Sequence, residues 1–328
     1  MAKDNKKNQK QKTNQSSKKR AGKGGDQPFY ANLKRENPKA KAKAERRMVD
    51  PEERRTLRRR EKEDDKRGSR RLDPNEPVRL NRFIAQAGIC SRREADTLIS
   101  EGRVKVNGEV TTELSTKVLP YSDKVEYRGK LLTPQNFVYY LFNKPKNMIT
   151  TMSDPLGRRT VLQAIEHAAK QRVYPVGRLD RNTTGLLLLT NDGDLAKQLT
   201  HPSFEVTKIY KVRLDKPVSE EHLQALRDGI ELEDGFAQVD AVDYVEGIPG
   251  ADVGVEIHIG RNRIVRRMFE HLGYQVEALD RVMIGHLTKV GLPRGKWRKL
   301  TDKEVGFLKM MVGKKDPNKL DKKNKARE

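Results

Sequence analysis

The residues whose types and spacing could do chemistry are concentrated in Gly177-Arg178-Leu179-Asp180-Arg181-Asn182-Thr183-Thr184-Gly185, just ahead of the apolar run GLLLL at 185–189. A carboxylate between two arginines, in a loop abutting a buried strand, has two readings. It is an ion-paired turn, which suits Asp because its side chain bonds to nearby backbone, or it is a carboxylate kept ionised for nucleophilic work. Further along, Arg263, Arg266 and Arg267 recur at i, i+3 and i+4, on one side of a helix opened after Gly260 and ended by Gly273. Other devices are missing. His167, His201, His222, His258, His271 and His286 are scattered with none paired at ligand spacing, and the single Cys90 cannot assist, so no metal site is expected. No Gly-rich turn ends in Gly-Lys-Ser or Gly-Lys-Thr, and there is no Gly-x-Ser-x-Gly elbow. Chemistry is left to carboxylate, tyrosine, arginine and backbone groups.

The elements that must position these residues are legible from periodicity. FVYYLF at 137–142 reads as a buried strand leading into the loop entry Lys144-Pro145. A turn is expected at 156–159, a short helix at 161–169, and a strand at 185–190 closed by Asn191-Asp192-Gly193. Tyr210, Val212 and Leu214 share one face of an alternating segment, and Ser219 caps a helix through Arg227 that Gly229 terminates. Strict alternation returns at Val253, Val255, Ile257 and Ile259. Hairpin-like strands outnumber helices, which favours an α+β domain with a mixed, largely antiparallel sheet.

A smaller unit precedes it. Leu80, Phe83, Ile84 and Ala87 follow helical spacing up to Gly88, and Ser91 with Glu94 makes a capping box for a second helix with Ala95, Leu98 and Ile99 on its apolar face. Val104 and Val106 alternate into Asn107-Gly108, a strong hairpin signal. Arg79, Arg82, Arg92, Arg93, Arg103 and Lys105 remain on polar positions against only Glu94 and Asp96 on the helices, which reads as a phosphate-facing surface.

Charge is unevenly placed along the 328 residues. The total is +23, yet residues 1–71 hold 26 basic and 11 acidic side chains, and residues 312–328 hold 7 and 3. A nearly neutral body therefore carries two basic tails, and the N-terminal one, without apolar periodicity, is expected to be disordered and reads either as a solubilising tail or as an arm that neutralises phosphates with salt-sensitive affinity. The expected organisation is a tail over 1–72, the small unit over 73–132, the larger domain over 133–311 and a tail over 312–328. No apolar run approaches a membrane span, the first 30 residues have no secretory h-region, and a lone cysteine suits a reducing compartment. A cytoplasmic monomer is expected, without membrane or protein partner.

RLNRFIAQAGICSRREADTLISEGRVKVNGEV resembles the S4 RNA-binding domain, covering both helices, SRREA and VxVNG. The resemblance implies binding to structured RNA, with Ser91, Arg92, Arg93, Lys105 and Asn107 on or beside the RNA-facing positions. GRLDRNTTGLLLLTNDG looks like the signature of pseudouridine synthases, and with the S4 unit upstream it is similar to the RsuA type, which modifies ribosomal RNA. NKPKNMITT, KIYKVRL, GRNRIVRRMFEHLGYQVEALDRVMIG and GKWRKL extend the likeness over residues 78–300.

That resemblance implies isomerisation of uridine to pseudouridine in ribosomal RNA or an assembly intermediate, favouring the large subunit, with no cofactor. It makes Asp180 the catalytic aspartate, Tyr210 the aromatic packing on the target base, Arg266 the partner of the aspartate and Leu279 the hydrophobic wall. Arg178, Lys144, Thr183, Arg263 and Arg267 fall on its substrate-binding side. From the residues alone, Tyr210 is also readable as an aromatic packed within a strand pair, and Arg266 as a phosphate-binding group alongside Arg263 and Arg267. Two positions depart from the family pattern: Asn147 where Gly often stands, and Ile264 where Gln usually precedes Ile-Arg-Arg. The rival readings are small-subunit RNA or tRNA as substrate, and a non-catalytic ribosome-assembly RNA binder. A glycosidase would need a second carboxylate at suitable spacing, and none is evident.

Overall fold

The computed structural model describes residues 72–166, 169–245 and 250–314. Residues 1–71 of the N-terminal arm expected over 1–72 and most of the C-terminal tail fall outside them, while Leu72, the arm's last expected residue, is buried in an apolar core cluster.

The small unit comprises β1 (Val78–Arg79), α1 (Leu80–Gln86), α2 (Arg92–Ser100), β2 (Val104–Val106), β3 (Glu109–Thr111), β4 (Lys117–Val118), β5 (Val125–Tyr127) and β6 (Lys130–Leu131). The capping box at the start of α2 is closed on both sides, Glu94 N donating to Ser91 Oγ and Ser91 N to the Glu94 carboxylate. Asn107 and Gly108 both have positive φ, 53° and 91°, the backbone a tight primed turn between β2 and β3 demands. The hairpin is extended into a four-stranded sheet of order β3-β2-β5-β6, and β1 pairs with β4. Leu80, Phe83 and Ile84 of α1 bury their faces with Ala95 and Ile99 of α2, as the spacing requires.

The larger unit runs β7 (Tyr139–Lys144), β8 (Tyr174–Pro175), β9 (Thr184–Thr190), α3 (Gly193–Thr200), β10 (Lys208–Leu214), α4 (Glu220–Asp228), β11 (Ile230–Leu232), β12 (Gly235–Ala237), β13 (Ala241–Tyr244), β14 (Asp252–Ile257), α5 (Ile264–His271), β15 (Val276–Ile284), β16 (Leu287–Thr288), β17 (Trp297–Lys299) and α6 (Asp302–Lys314). Its sheet has the order β13-β14-β10-β15-β9-β7-β17. Along that path β15 and β9 are parallel and the other neighbours antiparallel, so the sheet is mixed and largely antiparallel.

Every residue of β7 and β9 is buried, because both faces of these central strands are covered. Alternation divides them. Tyr140, Phe142, Leu187 and Leu189 join Tyr210, Val212, Leu279 and the apolar sides of α4 and α5. Leu141, Leu186 and Leu188 join α3, α6 and, from the small unit, Leu80 and Ile84. The two units are also stitched by polar interactions. Gln135 N donates to Gln86 O at 2.9 Å, Gln86 Nε2 donates to Gln135 O at 2.9 Å, and Arg82 pairs with Asp194.

Two expectations fail. Residues 161–166 form turns rather than the start of a helix, and 167–168 lie outside the described residues. Val161 N donates to Ile149 O, tying the segment to a neighbouring loop, and a run this short has little helical stability of its own. Helix α6 was not foreseen, and the tail expected from 312 begins inside it: Val305, Leu308 and Val312 supply a buried stripe on a segment otherwise rich in Lys and Gly. Among the described residues no helix is long and apolar enough to cross a membrane.

Candidate active site

The Asp180 loop is held from below by a buried cation. Lys144, the last residue of β7, has no exposed surface, and its Nζ donates to the carbonyls of Pro145 (3.1 Å), Asp180 (3.0 Å), Arg181 (3.2 Å) and Thr183 (2.7 Å). Burial pulls this ammonium down to about 8, the charge of Asp180 opposing and that of Arg294 assisting the shift. The same loop is gripped from the side. Thr150 Oγ1 donates to Leu179 O at 2.8 Å and accepts from Leu179 N at 3.3 Å, while Asn147 N donates to Arg181 O at 2.9 Å. Asn147 has φ 61°, the left-handed region Gly enters freely and Asn tolerates, which accounts for its standing in a place where Gly is common.

Where the loop enters β9, Gly185 has φ 106°, and a Cβ there would lie 2.2 Å from Arg281 O. Only glycine lets β9 approach β15 this closely. Leu179, one residue before Asp180, packs into the apolar cluster that contains Tyr210, Val212 and Leu279. In the sheet Leu279 lies opposite Val212, and Tyr210 lies opposite Val255.

The Asp180 side chain is about one-third exposed and opens on a cleft of about 580 Å³ whose walls include Thr150, Asp154, Arg158, Arg178, Arg181 and Arg263. Arg263 Nη1 lies 3.9 Å from Asp180 Oδ2, and its Nη2 lies 3.4 Å from Glu270 Oε1. Arg178, Asp180 and Arg263 are thus brought together, while Tyr210 and Leu279 do not line this cleft and sit in the adjoining apolar cluster.

Several residues lie elsewhere than the sequence suggests. The arginines at 263, 266 and 267 do not share one face, because Arg263 is the N-cap of α5 with φ 48° and lies off the helical repeat. Arg266 is buried, and its Nη1 donates to Val276 O at 2.7 Å. Burial and then Arg263 work against its charge, with Asp180 and Glu270 favouring it, so it feels the aspartate's field while Arg263 makes the ion pair. Arg267, expected to meet substrate, holds both oxygens of Asp234 at 2.8 Å and fastens the β11–β12 hairpin to α5. Lys144, also expected to meet substrate, is sealed beneath the loop. Thr183 is buried too, its Oγ1 without a hydrogen-bond partner among the described residues. Ile264 packs in the core, so no polar group stands at that position.

On the small unit, Arg92, Arg93 and Lys105 are exposed. Ser91 is spent on its helix cap, and Asn107 bridges two turns, its Nδ2 donating to Asp123 Oδ1 at 3.0 Å and its Oδ1 accepting from Lys124 N at 2.9 Å. Sequence reasoning missed Thr150 and the Asp154 and Arg158 pair as parts of the cleft; NKPKNMITT marked the region without assigning them a role. Among the described residues no three His, Cys, Asp or Glu side chains gather into a metal-holding group.

Comparison with known proteins adds to this geometry. Residues 138–271 match the RNA pseudouridylate synthase family and residues 78–121 match the S4 domain. An RNA pseudouridine synthase of Aquifex aeolicus without a characterised substrate is 44% identical over 241 residues, 73% of this chain and 96% of that protein. Ribosomal large subunit pseudouridine synthase B of Bacillus subtilis is 42% identical over 237 residues, 71% of this chain and 96% of that one. The dual-specificity RNA pseudouridine synthase RluF of Escherichia coli is 36% identical over 235 residues, 71% and 78% of the two chains. A crystal structure of a pseudouridylate synthase superposes with a TM-score of 0.51 at 32% identity, covering 70% of this chain and 99% of its own.

Proposed function

Because this chain belongs to the RNA pseudouridine synthases of the RsuA type, with an S4 domain ahead of the catalytic domain, we propose that it isomerises one particular uridine of large-subunit ribosomal RNA. The observation that carries the catalytic part is the Asp180 carboxylate, open to a cleft on a loop whose backbone is clamped by Lys144 and Thr150. Support for the large subunit comes from the 42% identity to the Bacillus subtilis protein named for that substrate. The readings set aside are small-subunit RNA or tRNA as substrate, and a non-catalytic assembly factor.

The reaction breaks the bond from C1′ to N1, turns the freed uracil and rejoins it through C5, which gives up a proton as N1 regains one. Atoms and electrons balance without an external oxidant or reductant. Asp180 either attacks C1′ or assists elimination from the ribose. Leu279 and Tyr210 lie in the apolar cluster that meets the cleft at Leu179, and in this reading the uracil reaches them as an apolar wall and a π face once the RNA is bound, while Arg263 with Arg266 provides positive charge near the aspartate. A uridine in folded RNA must first leave its stack, at a cost of a few kcal/mol. Phosphate binding by Arg92, Arg93 and Lys105 of the S4 domain and by Arg178 at the cleft offsets that cost.

The test is pseudouridine mapping in ribosomal RNA and tRNA from cells with and without this gene. Loss of one site in large-subunit RNA is expected. An unchanged map would refute the catalytic reading, and a loss confined to small-subunit RNA or tRNA would refute the choice of substrate.

A further inference from the structure

Residues 149–160 form a loop closed on itself beside the Asp180 cleft. Ile149 N donates to Arg159 O and Val161 N to Ile149 O, both at 3.0 Å, and Ile149 bridges to Thr160 across the loop's neck. Inside it the Asp154 side chain, only 4% exposed, accepts from Arg158 N at 2.6 Å, from Arg158 Nη2 at 2.7 Å and from Arg158 Nε at 3.2 Å. Gly157 N donates to Asp154 O at 3.2 Å. This cage holds Pro155-Leu156-Gly157 as a braced tip, and through Thr150 and Leu179 the neck is tied to the residue before Asp180. Tip and Asp180 loop are therefore joined through hydrogen bonds at the neck.

At that tip Leu156 is 72% exposed, more than any other large apolar side chain among the described residues. A single exposed leucine is ordinary on a protein surface. A leucine fixed by a caged turn is not, when Ser153, Asp154, Pro155 and Arg158 from the same turn line the cleft of the reactive carboxylate. Extruding a base leaves a gap in the stack, and proteins that open nucleic-acid stacks insert rigid apolar side chains at such steps.

Resting on the reading that the substrate is a uridine in folded RNA, we propose that Leu156, backed by Pro155, is the wedge that packs against the base pair next to the target uridine and stabilises its extruded state. It acts on opening rather than on bond exchange, so its contribution vanishes when the uridine is already unpaired.

The experiment compares wild type, Leu156→Ala and Leu156→Met in single-turnover pseudouridine formation on two RNAs: the ribosomal hairpin carrying the mapped site, and the same hairpin with the facing base changed to leave the target uridine unpaired. Leu156→Ala should slow the paired substrate by at least about fivefold, the low end of what one stacking interaction is worth, and leave the unpaired one near wild type. Leu156→Met should restore most of the rate. Equal slowing on both RNAs, or no slowing on the paired one, overturns the wedge. A wild-type enzyme that forms no pseudouridine in either RNA refutes the substrate reading, and the wedge with it.

Discussion

Around Asp180 the bracing side chains are buried or half-buried and committed to partners, Lys144 to four carbonyls, Thr150 to both backbone atoms of Leu179, Arg266 to Val276 and Arg267 to Asp234, with the Thr183 hydroxyl the exception. On the S4 helices and hairpin the corresponding charges are exposed, and Arg93 and Lys105 form no ion pair among the described residues. Both regions face RNA in the proposed function, so the contrast reflects what each must do. A buried polar group left unsatisfied is costly, so a satisfied network fixes one geometry. Exposed charges hold no geometry, and each remains free to replace a counterion on a phosphate. In the proposed function the first construction serves chemistry and the second affinity.

The sharpest way to break this comparison is Lys144→Met. With the ammonium gone, carbonyls of Pro145, Asp180, Arg181 and Thr183 lose their shared donor. Stability should fall by about 3 kcal/mol, measured by urea unfolding, and pseudouridine formation should disappear at temperatures where the protein is still folded. Unchanged stability would show that the clamp is dispensable.

A subtler separation comes from pH. Lys144 titrates at about 8 in the folded protein against an ordinary 10.5. Between these values the unfolded chain binds a proton the folded chain has released, so this group makes stability rise with pH across that window. The charge gripping the catalytic loop is lost over the same range. The single-turnover rate should therefore decline above about pH 8 while RNA binding through the S4 domain stays level. Parallel loss of rate and binding would contradict the division of labour.

The smallest effect is expected on the binding side. Arg93→Ala with Lys105→Ala should weaken RNA binding and flatten its salt dependence by roughly 0.7 to 0.9 log units for each phosphate no longer neutralised, leaving the rate at saturating RNA unchanged. A reduced saturating rate would place these residues in the chemistry.

The contrast also explains what was legible in the sequence. Elements governed by local rules were readable: the capping box at Ser91, the turn at Asn107-Gly108, the apolar strand 185–189, and the alternation at Tyr210, Val212 and Leu214. The Asp180 region was recognisable as a cluster because its residues are contiguous. Its bracing was not, because Lys144 finds carbonyls up to 39 positions away and looks in sequence like any lysine after a strand. Helical spacing misplaced Arg263 because a residue at φ 48° is not on the helix. The expected helix at 161–169 failed because so short a run has little helical stability of its own, and α6 was overlooked because its buried stripe lies in a lysine-rich stretch.

The central claim is that the Asp180 carboxylate performs the isomerisation and that the surrounding network exists to hold it. Asp180→Asn preserves the side chain's shape and leaves the backbone carbonyl that accepts from Lys144 in place. Expressed in cells lacking the gene, the variant should fold, bind the ribosomal RNA hairpin with near wild-type affinity and restore no pseudouridine at the mapped site. Pseudouridine at the wild-type level in those cells would contradict the claim outright.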